Sequence, residues 1–459
     1  MGIVKRQLPW IIIFIFALAA IIFIIFYGKS NRVFWVDDDT DAWAQASEVF
    51  FGGSTVLPEE GSAAKGSAPI VSYTLPLAPP DPPSSITPLL PEKMRGVWIA
   101  TVVNIDFPKA IGEAEKQKEE LTAILDTVCN SSLNTVFFQV RPSGDALYHS
   151  QIFPWSQFLT GSASLDPGYD PLAFIIEEAH NRNLALHAWV NPYRLTMGSK
   201  DEPQNSHDFL PKDSPLKERA DLTFAAGDGR LYLNPGEPQA QALVLAGIRE
   251  ILENYEVDGI HLDDYFYPSN PNYDDSATYA KYGQPAQLAL GDWRRKNTQS
   301  LIIEIQALVR QVRPDAAFGV SPSGIWQNSK NSPLGSDSNG FESYSQIYAD
   351  TRQWVKEGLL DYIVPQLYWP IGKEGSDYAK LARWWADVCR DTGVRLYIGH
   401  GAYRLGSSDE AAWSTAAEIE RQISLNEELG ISGSVFYGYR QIKENTLGVR
   451  DLLRELYGE

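Results

Sequence analysis

The sequence predicts an α/β fold of the (β/α)8 TIM-barrel class, preceded by an N-terminal transmembrane helix and a proline-rich linker. From Arg95 onward, short β-branched or aromatic runs alternate eight times with amphipathic, helix-like stretches. Such alternation indicates parallel strands joined by right-handed crossovers, which close into a barrel. Polar and aromatic residues also follow almost every run, at the position where the carboxyl ends of barrel strands converge on one cavity.

The N-terminal segment has the length and composition of a membrane anchor. Residues 10–27, WIIIFIFALAAIIFIIFY, carry no charge and would form a helix of roughly 27 Å, about the thickness of a hydrocarbon core. Lys5 and Arg6 precede it, so residues 1–9 are predicted to be cytoplasmic and the rest of the chain extracytoplasmic. Bulky residues follow it instead of a small-residue cleavage site, so we expect an uncleaved single-pass anchor in the cell membrane.

The segment between the anchor and the barrel has the composition of a spacer. Residues 28–93 are rich in Pro, Ser and Gly, and the stretch APPDPPSS is typical of an extended chain. We therefore predict a disordered linker that holds a barrel domain, residues 94–459, away from the bilayer.

The overall charge excludes one class of partner. The chain carries a formal net charge of −19, although its first 36 residues are basic. Binding to a phosphate backbone requires clustered Lys and Arg, so we expect no nucleic-acid partner. The 13 Trp, 22 Tyr and 19 Phe residues suit a large core, and they also suit a site for sugars, whose apolar C–H faces stack on flat rings.

Eight strands can be assigned in order. They are RGVWIATVV (95–103), NTVFFQV (134–140), LALHAWV (184–190), VDGIHLD (257–263), AAFGVS (316–321), DYIVPQL (361–367), VRLYIGH (394–400) and SGSVFYG (432–438). The two longest connections, residues 191–237 and 264–285, follow the third and fourth strands, so both would enlarge the C-terminal face of the barrel. An open doubly wound sheet is the alternative, but it requires a glycine-rich phosphate loop after the first strand. The residues there read VNIDFPKAIG, so the barrel is preferred.

The fourth run, VDGIHLDDYFYP at 257–268, ends in two adjacent aspartates. Strand side chains alternate between two faces, so His261 and Asp263 share a face that we place in the lumen. Asp264 has the opposite parity, but it lies at a turn, where alternation can fail. We predict that both aspartates are catalytic, with Asp263 as the central carboxylate and Asp264 as either its partner or a cap of the next segment.

Glycoside hydrolysis would need a second carboxyl group beside Asp263. One carboxyl donates a proton to the leaving oxygen, while the other attacks the carbon or activates water. Asp145, Asp106 and Glu342 are candidates for the second group in addition to Asp264. The alternatives are that Asp145 caps a turn and that Glu342 is a solvated acid in the first turn of a helix.

The other residues at strand ends are candidates for substrate binding. They are Asn104, Gln139, Arg141, His187, Asn191, Tyr193, Arg194, His261, Tyr265, Ser323, Trp326, Gln366, Tyr368, Trp369 and Tyr437. Tyr368, Trp369 and Trp326 would stack on sugars, and the alternative for them is core packing under a loop. For Arg141 the alternative is a structural salt bridge inside the barrel.

The lumen histidines raise the question of a metal site. A metal-dependent barrel hydrolase usually carries a His-x-His pair on its first strand, but the first run here contains WIATVVN. We therefore expect His187 and His261 to be hydrogen-bonding residues, and we expect no metal or other cofactor. The sequence contains neither a GxSxG motif nor a phosphate loop.

Seven spaced motifs resemble one known family. They are RGVWIATVVNIDFP, FFQVRPSGDALYHS, HAWVNPYR, LNPGEP, VDGIHLDDYFYP, FGVSPSGIW and DYIVPQLYWP. In this order they resemble the bacterial glycosyl-hydrolase-like 10 family over about residues 92–440. The resemblance implies an extracytoplasmic barrel glycosidase whose substrate is a cell-envelope polysaccharide, namely peptidoglycan strands stripped of their peptides. It also implies a catalytic aspartate at the end of the fourth strand, which corresponds to Asp263 with Asp264 beside it.

One departure keeps a second hypothesis open. The fifth strand ends in VSPSG, without the glutamate that often serves as the acid in barrel glycosidases. The proton donor is therefore not assigned by the resemblance. The first hypothesis is an envelope glycosidase, and the second is a glycan-binding scaffold with the same fold that has no catalytic activity.

Overall fold

The computed structural model describes Pro88 and residues 90–407 and 410–458. The predicted anchor, residues 10–27, and nearly all of the predicted linker lie outside these residues. Within the described part of the chain, no helix combines the length and the apolar character needed to cross a membrane.

One parallel sheet forms the centre of the molecule. Its strands are β1 (Met94–Ile99), β2 (Thr135–Arg141), β3 (Ala185–Val190), β6 (Gly259–Leu262), β7 (Ala317–Val320), β8 (Tyr362–Ile363), β9 (Arg395–Leu396), β10 (Ile398–Gly401) and β11 (Gly433–Tyr437). They pair in the order β10-β11-β1-β2-β3-β6-β7-β8-β9. The remaining two strands, β4 (Thr223–Ala225) and β5 (Leu231–Leu233), form an antiparallel hairpin in the connection after β3.

The sheet closes into the predicted barrel. Only Tyr397 separates β9 from β10, so these two segments are the halves of one strand. Gln366, beyond the end of β8, forms parallel bridges with Ser323 on one side and Gly399 on the other. Every one of the eight runs read from the sequence supplies one strand, and the prediction of a (β/α)8 barrel is confirmed.

Helices lie between the strands. They are α1 (Ala114–Cys129), α2 (Gln157–Thr160), α3 (Pro171–His180), α4 (Pro238–Asn254), α5 (Ser276–Thr278), α6 (Leu290–Val312), α7 (Ser343–Gln346), α8 (Thr351–Lys356), α9 (Tyr378–Cys389), α10 (Ala417–Glu428), α11 (Tyr439–Lys443) and α12 (Val449–Tyr457). Single 3-10 turns lie at Val102–Asn104, His207–Phe209, Ala220–Leu222, Ala402–Arg404, Ala411–Ser414 and Thr446–Gly448, and one π turn lies at Tyr279–Gly283.

Aspartate caps determine where several of these helices begin. Asp170 accepts hydrogen bonds from the backbone N–H groups of Leu172 and Ala173, both at 3.0 Å, and Pro171 occupies the first helical position. Asp377 caps α9 in the same way, through the N–H of Ala379 at 2.9 Å. Such caps satisfy backbone donors that the first helical turn leaves unpaired.

The barrel has two apolar layers because side chains alternate along each strand. Between strands and helices lies a large outer core, which includes Val97, Phe138 and Ile260. The lumen holds a second cluster: Met94, Trp98, Ala100, Phe137, Trp189, Ala317, Tyr362, Val364, Tyr397 and Val435. The lumen is therefore a packed core, and a ligand can enter only at its ends.

Glycines in the lumen make room for the large rings. A Cβ atom added at Gly319 would overlap the ring of Tyr362, and one added at Gly259 would overlap the ring of His187. Small and large side chains thus alternate across neighbouring strands, which allows the lumen to be filled without voids.

The last residues of the predicted linker are attached to the barrel. Arg395 donates to the carbonyl oxygens of Leu90 and Pro91 at 3.3 and 2.8 Å. Leu90 also packs against the lumen cluster. These contacts lie at the amino ends of the strands, opposite the face that carries the candidate site.

Candidate active site

Asp263 lies directly after β6, at the mouth of the lumen, as strand alternation predicts. Its carboxyl group is 3% exposed. Oδ2 accepts from the indole N–H of Trp189 at 2.9 Å and from the amide of Asn191 at 3.3 Å, and Oδ1 accepts from the backbone N–H of Tyr265 at 3.2 Å. Burial raises the pKa of Asp263, while Arg194 and these three donors oppose the rise.

Asp264 is half-buried beside Asp263 and has a different environment. Burial, reinforced by the negative charge of Asp263, raises the pKa of Asp264 to about 7, while a backbone hydrogen bond at Asp264, the charge of Arg194 and the Gln366 side chain partly oppose the rise. Three donors at 2.9–3.3 Å favour ionisation of Asp263, whereas Asp264 is the carboxyl group whose pKa rises to about 7. Below about pH 7, Asp264 therefore retains a proton beside a carboxyl group whose ionisation is favoured by its hydrogen bonds.

Arg194 forms one side of the cleft around this pair. Its Nε and Nη2 donate to the carbonyl oxygen of Pro142 at 3.2 and 2.8 Å. Its guanidinium carbon lies 4.7 Å from the centroid of the Tyr265 ring. The stacked arginine holds Tyr265, which is partly exposed to solvent, beside the two carboxyl groups.

Three tyrosines form the opposite side, which we call the tyrosine wall: Tyr368, Tyr403 and Tyr437. The rings of Tyr368 and Tyr437 are stacked, with centroids 5.9 Å apart and planes inclined by 13°. Tyr403 meets them edge-on, at 5.7 Å from Tyr368 and 5.8 Å from Tyr437. Flat, rigid rings with a hydroxyl at one end suit the mixed apolar and polar surface of a sugar.

Asp106 lies behind this wall, after β1. It is buried, and its Oδ2 accepts from the backbone N–H of Ala100 at 2.9 Å. Burial raises the pKa of Asp106 to about 6. Its charge acts on Tyr437, whereas the charge that acts on Asp264 is that of Asp263. Asp106 is thus at the edge of the cleft and outside the aspartate pair.

The lumen histidines form the floor beneath the site. The indole N–H of Trp98, which can only donate, points to Nε2 of His261 at 3.1 Å. His261 Nδ1 therefore carries the proton and donates to the Tyr362 hydroxyl at 3.0 Å, and that hydroxyl donates to Nδ1 of His187 at 2.9 Å. Burial lowers the pKa of His187 to about 4 and that of His261 well below its usual value.

This network corrects the prediction that His187 and His261 bind substrate. Both rings are fully buried, and each is hydrogen-bonded through Nδ1 to the Tyr362 hydroxyl, so they support the site from below. In the part of the chain that the structure describes, no three His, Cys, Asp or Glu side chains group as a metal site requires. The expectation that no metal is bound stays a prediction.

Arg141 does not reach the cleft, although its place at the end of the second strand made it a candidate for substrate binding. The pairing of β2 with β3 shifts between Gln139 and Arg141, and this irregularity turns Arg141 outward. Its guanidinium lies over the ring of Phe153 at 3.9 Å and against Gly247 of α4. It is fully buried and none of its side-chain nitrogens has a hydrogen-bond partner.

Tyr193 and Trp326 also belong to the outer core and not to the cleft. Tyr193 is fully buried, and its hydroxyl has no hydrogen-bond partner. Trp326 donates from its indole N–H to Asp350 at 2.8 Å and stacks on Trp384 at 6.0 Å. The alternative considered for Trp326, core packing under a loop, is the one the structure shows.

The two remaining carboxylate candidates, Asp145 and Glu342, form hydrogen bonds with residues of their own loops. Asp145 accepts from the Ser143 hydroxyl at 2.8 Å, as the turn-capping alternative proposed. Glu342 is buried, which corrects the solvated alternative, and it accepts from Asn328, Asn331 and Ser345 at 2.6–2.8 Å. Along residues 90–407, no contact connects either carboxyl group to the aspartate pair.

Asn104 and Gln139 organise the end of β1. Asn104 donates to the carbonyl oxygens of Pro108 and Phe158, each at 2.8 Å. Gln139 Oε1 accepts from the backbone N–H groups of Thr101 and Val102, each at 3.0 Å. These contacts position the loop that carries Asp106, so both side chains act on the cleft indirectly.

Ser323, Gln366 and Trp369 lie at the ends of the fifth and sixth barrel strands. Gln366 donates to the carbonyl oxygen of Ser321 at 2.9 Å and its side chain also meets Asp264. Ser323 is half-buried and reaches Gln366 through its backbone. Trp369 packs against Gly324, where an added Cβ would stand 2.9 Å from its ring, and it remains partly exposed.

The sequence reasoning missed Arg230. It precedes β5, in the hairpin that the connection after β3 forms, and its charge acts on Tyr265. The available signal was the turn-forming GDG at 227–229 before the alternating LYLN stretch. That pattern predicts a hairpin, but it does not predict that the hairpin folds back against the cleft.

The sequence is similar to one family of known proteins. The sequence profile described as "Glycosyl hydrolase-like 10" matches residues 93–415. The chain is 41% identical over 374 residues to glycosyl hydrolase YngK of Bacillus subtilis (strain 168), a match that spans 80% of this chain and 72% of that protein. It is 40% identical over 390 residues to glycosyl hydrolase DigH of Escherichia coli (strain K12), spanning 81% and 88% of the two chains.

A solved structure shares the fold at lower similarity. The glycoside hydrolase domain of PgaB (BpsB) from Bordetella bronchiseptica aligns with a TM-score of 0.50 and 13% sequence identity. The alignment covers 80% of this chain and 99% of that domain. At this identity the likeness is evidence for the barrel fold.

Proposed function

The chain belongs to the glycosyl hydrolase-like 10 family, and from this premise we propose that it is a membrane-anchored glycoside hydrolase of the bacterial cell envelope. Its substrate in this proposal is a polysaccharide, namely the glycan strands of peptidoglycan. The predicted anchor and linker support an extracytoplasmic barrel that works close to the membrane. The relatives that carry the name glycosyl hydrolase support the reaction class.

The aspartate pair is the observation that carries the proposal. In our proposed mechanism Asp264, which holds its proton near neutral pH, protonates the leaving oxygen of the glycosidic bond. Asp263, ionised and fixed by Trp189 and Asn191, acts at the anomeric carbon or on the water that attacks it. The reaction requires one carboxyl group that donates a proton and a second that is ionised, on either side of the glycosidic bond.

The walls of the cleft support a sugar as the ligand. The tyrosine wall on one side and Tyr265 with Arg194 on the other present flat rings and hydrogen-bonding groups around the pair. Gln366 and Asn191 add amides that can bind sugar hydroxyls. The net charge of −19 does not favour a polyphosphate ligand, which requires clustered Lys and Arg.

The test is the release of soluble sugar from peptide-free peptidoglycan strands by the purified full-length protein. We expect release by the wild type and a loss of about 10²–10⁴-fold in the Asp263→Asn variant. Asp145→Asn is the matched control, because Asp145 serves its own loop, and it should retain activity. Normal release by Asp263→Asn would refute the assigned mechanism.

The glycan-binding scaffold is the second candidate, and the end of β7 favours it. Ser321 and Ser323 occupy the positions where many barrel glycosidases carry an acid, and they interact with Gln366 instead. A scaffold would retain the strands in a pull-down without releasing sugar, and Asp263→Asn would bind as well as the wild type. Turnover by the wild type eliminates this candidate.

A further inference from the structure

A line of buried polar side chains, which we call the α10 network, lies outside the barrel between β10, β11 and α10. Its members are Ser434 of β11, His400 of β10, and Gln422 and Glu418 of α10, and each is at most 2% exposed. His400 points away from the lumen, because it shares strand parity with Ile398 of the outer core. Buried polar groups are costly unless they are hydrogen-bonded, so the partners of this network indicate its role.

The hydrogen bonds within the α10 network have a defined direction. The Gln422 amide nitrogen donates to Oε1 of Glu418 at 3.0 Å, so Oε1 of Gln422 is the atom that accepts from Nδ1 of His400 at 2.9 Å. His400 therefore carries its proton on Nδ1, and its Nε2 accepts from the Ser434 hydroxyl at 2.9 Å. Burial lowers the pKa of His400 to about 4, so the ring is neutral at neutral pH and both of its nitrogens are used.

The network ends on the segment after β8, which carries Tyr368 of the tyrosine wall. The Gln422 amide nitrogen also donates to the backbone carbonyl oxygen of Trp369 at 3.1 Å. Oε1 of Glu418 accepts from the backbone N–H of Ile371 at 2.7 Å. Two side chains of α10 thus hold the backbone of this segment at two points, while the rings of Tyr368 and Trp369 remain partly exposed.

The strands that the network joins carry the rest of the tyrosine wall. Tyr437 is the last residue of β11, and Tyr403 follows β10. A Cβ atom added at Gly401 of β10 would stand 3.0 Å from Cβ of Tyr368, so the segment after β8 rests directly on β10. The α10 network therefore connects the strand ends from which all three rings of the wall project.

We propose that Glu418 and Gln422 are positioning residues, which fix the backbone of residues 368–371 so that the tyrosine wall keeps one arrangement beside the aspartate pair. Both side chains are buried against the barrel and act through this backbone, without touching a ligand. A segment that is already ordered loses less conformational entropy when a ligand binds. The inference rests on the proposed function for the ligand of the wall, but not for the arrangement of the wall itself.

Hydrogen exchange of the backbone amides in residues 368–372 measures the arrangement directly in the full-length protein. Glu418→Met removes the acceptor for the N–H of Ile371, and Gln422→Met removes the contact to Trp369 independently. We expect exchange in this segment to be about tenfold faster in both variants. Glu418→Gln retains an acceptor oxygen, so its exchange should stay within about twofold of the wild type.

Hydrolysis of peptide-free glycan strands measures the consequence for binding. We expect Glu418→Met and Gln422→Met to raise KM about tenfold while kcat stays within about threefold, because interactions made equally in ground and transition states are weakened. Glu418→Gln should restore the KM of the wild type. Ile423→Ala is the control for a general loss of stability, because Ile423 lies on the same helix but in the outer core; it should lower Tm and leave both KM and the exchange of the segment unchanged.

Exchange like that of the wild type in both methionine variants would overturn the inference. A fall in kcat without a rise in KM, or equally fast exchange of the segment in Ile423→Ala, would also overturn it, since either result indicates a role in general stability. If the wild type does not cleave the strands, the proposed function fails, while the exchange measurement still decides whether Glu418 and Gln422 position the wall.

Discussion

Asp264 differs from Asp263 in the number of donors that reach its carboxyl group. Asp263 accepts three hydrogen bonds at 2.9–3.3 Å, while Asp264 faces the negative charge of Asp263. Two neighbouring residues of one loop thus acquire different proton affinities from their environments. Division of acid and base roles between two carboxyl groups follows from that difference.

The pH dependence of hydrolysis tests this assignment. Because the pKa of Asp264 in the free protein is about 7 and the proton is needed for catalysis, we expect kcat/KM to fall as pH rises through about 7. In Asp106→Asn, which removes the other carboxyl group with a raised pKa, the alkaline limb should remain at the same pH. If the alkaline limb of the pH profile disappears in Asp106→Asn, the proton donor is Asp106 and not Asp264.

The raised pKa of Asp264 also predicts that its carboxyl group destabilises the folded protein at alkaline pH. The unfolded chain releases the Asp264 proton near its ordinary pKa of 3.8, whereas the folded protein retains it to about 7. The folded state therefore loses stability as pH rises between these values. We expect Asp264→Asn to raise the free energy of unfolding at pH 8, by up to about 4 kcal/mol relative to its effect at pH 4.

Chemical denaturation at the two pH values measures this effect. Asp126→Asn, a change at the exposed end of α1, is the control and should show no comparable dependence on pH. A destabilised Asp264→Asn variant at pH 8 would show that the ionised carboxyl group is favourable in the fold, contrary to the assignment.

At the scale of elements, the barrel depends on the pairing of small and large lumen residues. Gly319 of β7 lies against the ring of Tyr362 on β8, where a methyl group would overlap the ring. Tyr362 cannot move freely, since its hydroxyl joins His187 and His261. The position of the Tyr362 ring is therefore fixed both by its packing against Gly319 and by its hydrogen bonds. This ring in turn fixes the strands that carry the site.

Gly319→Ala should destabilise the protein by about 1–3 kcal/mol, as overpacking of a filled core does. Gly291→Ala is the matched control, because Gly291 lies in the first turn of α6 and its new methyl group would meet only the flexible end of Arg295. Alanine is also the better helix former, so the control should be neutral or stabilising. Thermal unfolding of both variants measures the difference, and equal effects would contradict a tightly packed lumen.

The elements also show which features the sequence could predict. The eight strands were recognisable because parallel barrel strands are buried on both faces and form short apolar runs. Parity located Asp263 correctly because β6 is regular up to its end. Place at a strand end did not predict the position of Arg141, since the irregular pairing of β2 with β3 depends on a neighbouring strand that is distant in sequence. It also did not predict that of Tyr193, because the chain there pairs with β5 and the Tyr193 side chain lies in the outer core.

At the scale of the whole molecule, an acidic chain that carries the barrel follows a predicted membrane anchor. Deletion of residues 10–27 is expected to move the protein from the membrane fraction to the soluble fraction, because this segment has the length of a hydrocarbon core. Immunoblotting of the two fractions measures the change. Hydrolysis by the deleted protein should be unaltered, since the barrel carries the whole cleft. A deleted protein that still sediments with membranes would show that another part of the chain binds them.

The central claim is that Asp264 donates the proton and Asp263 acts at the anomeric carbon. The most direct test compares two substrates, a peptide-free glycan strand and an aryl glycoside whose dinitrophenolate leaves without protonation. Asp264→Asn should lose about 10²–10⁴-fold in kcat on the strand but retain most of its activity on the aryl glycoside, whereas Asp263→Asn should lose activity on both. Equal losses on the two substrates in Asp264→Asn would contradict the claim.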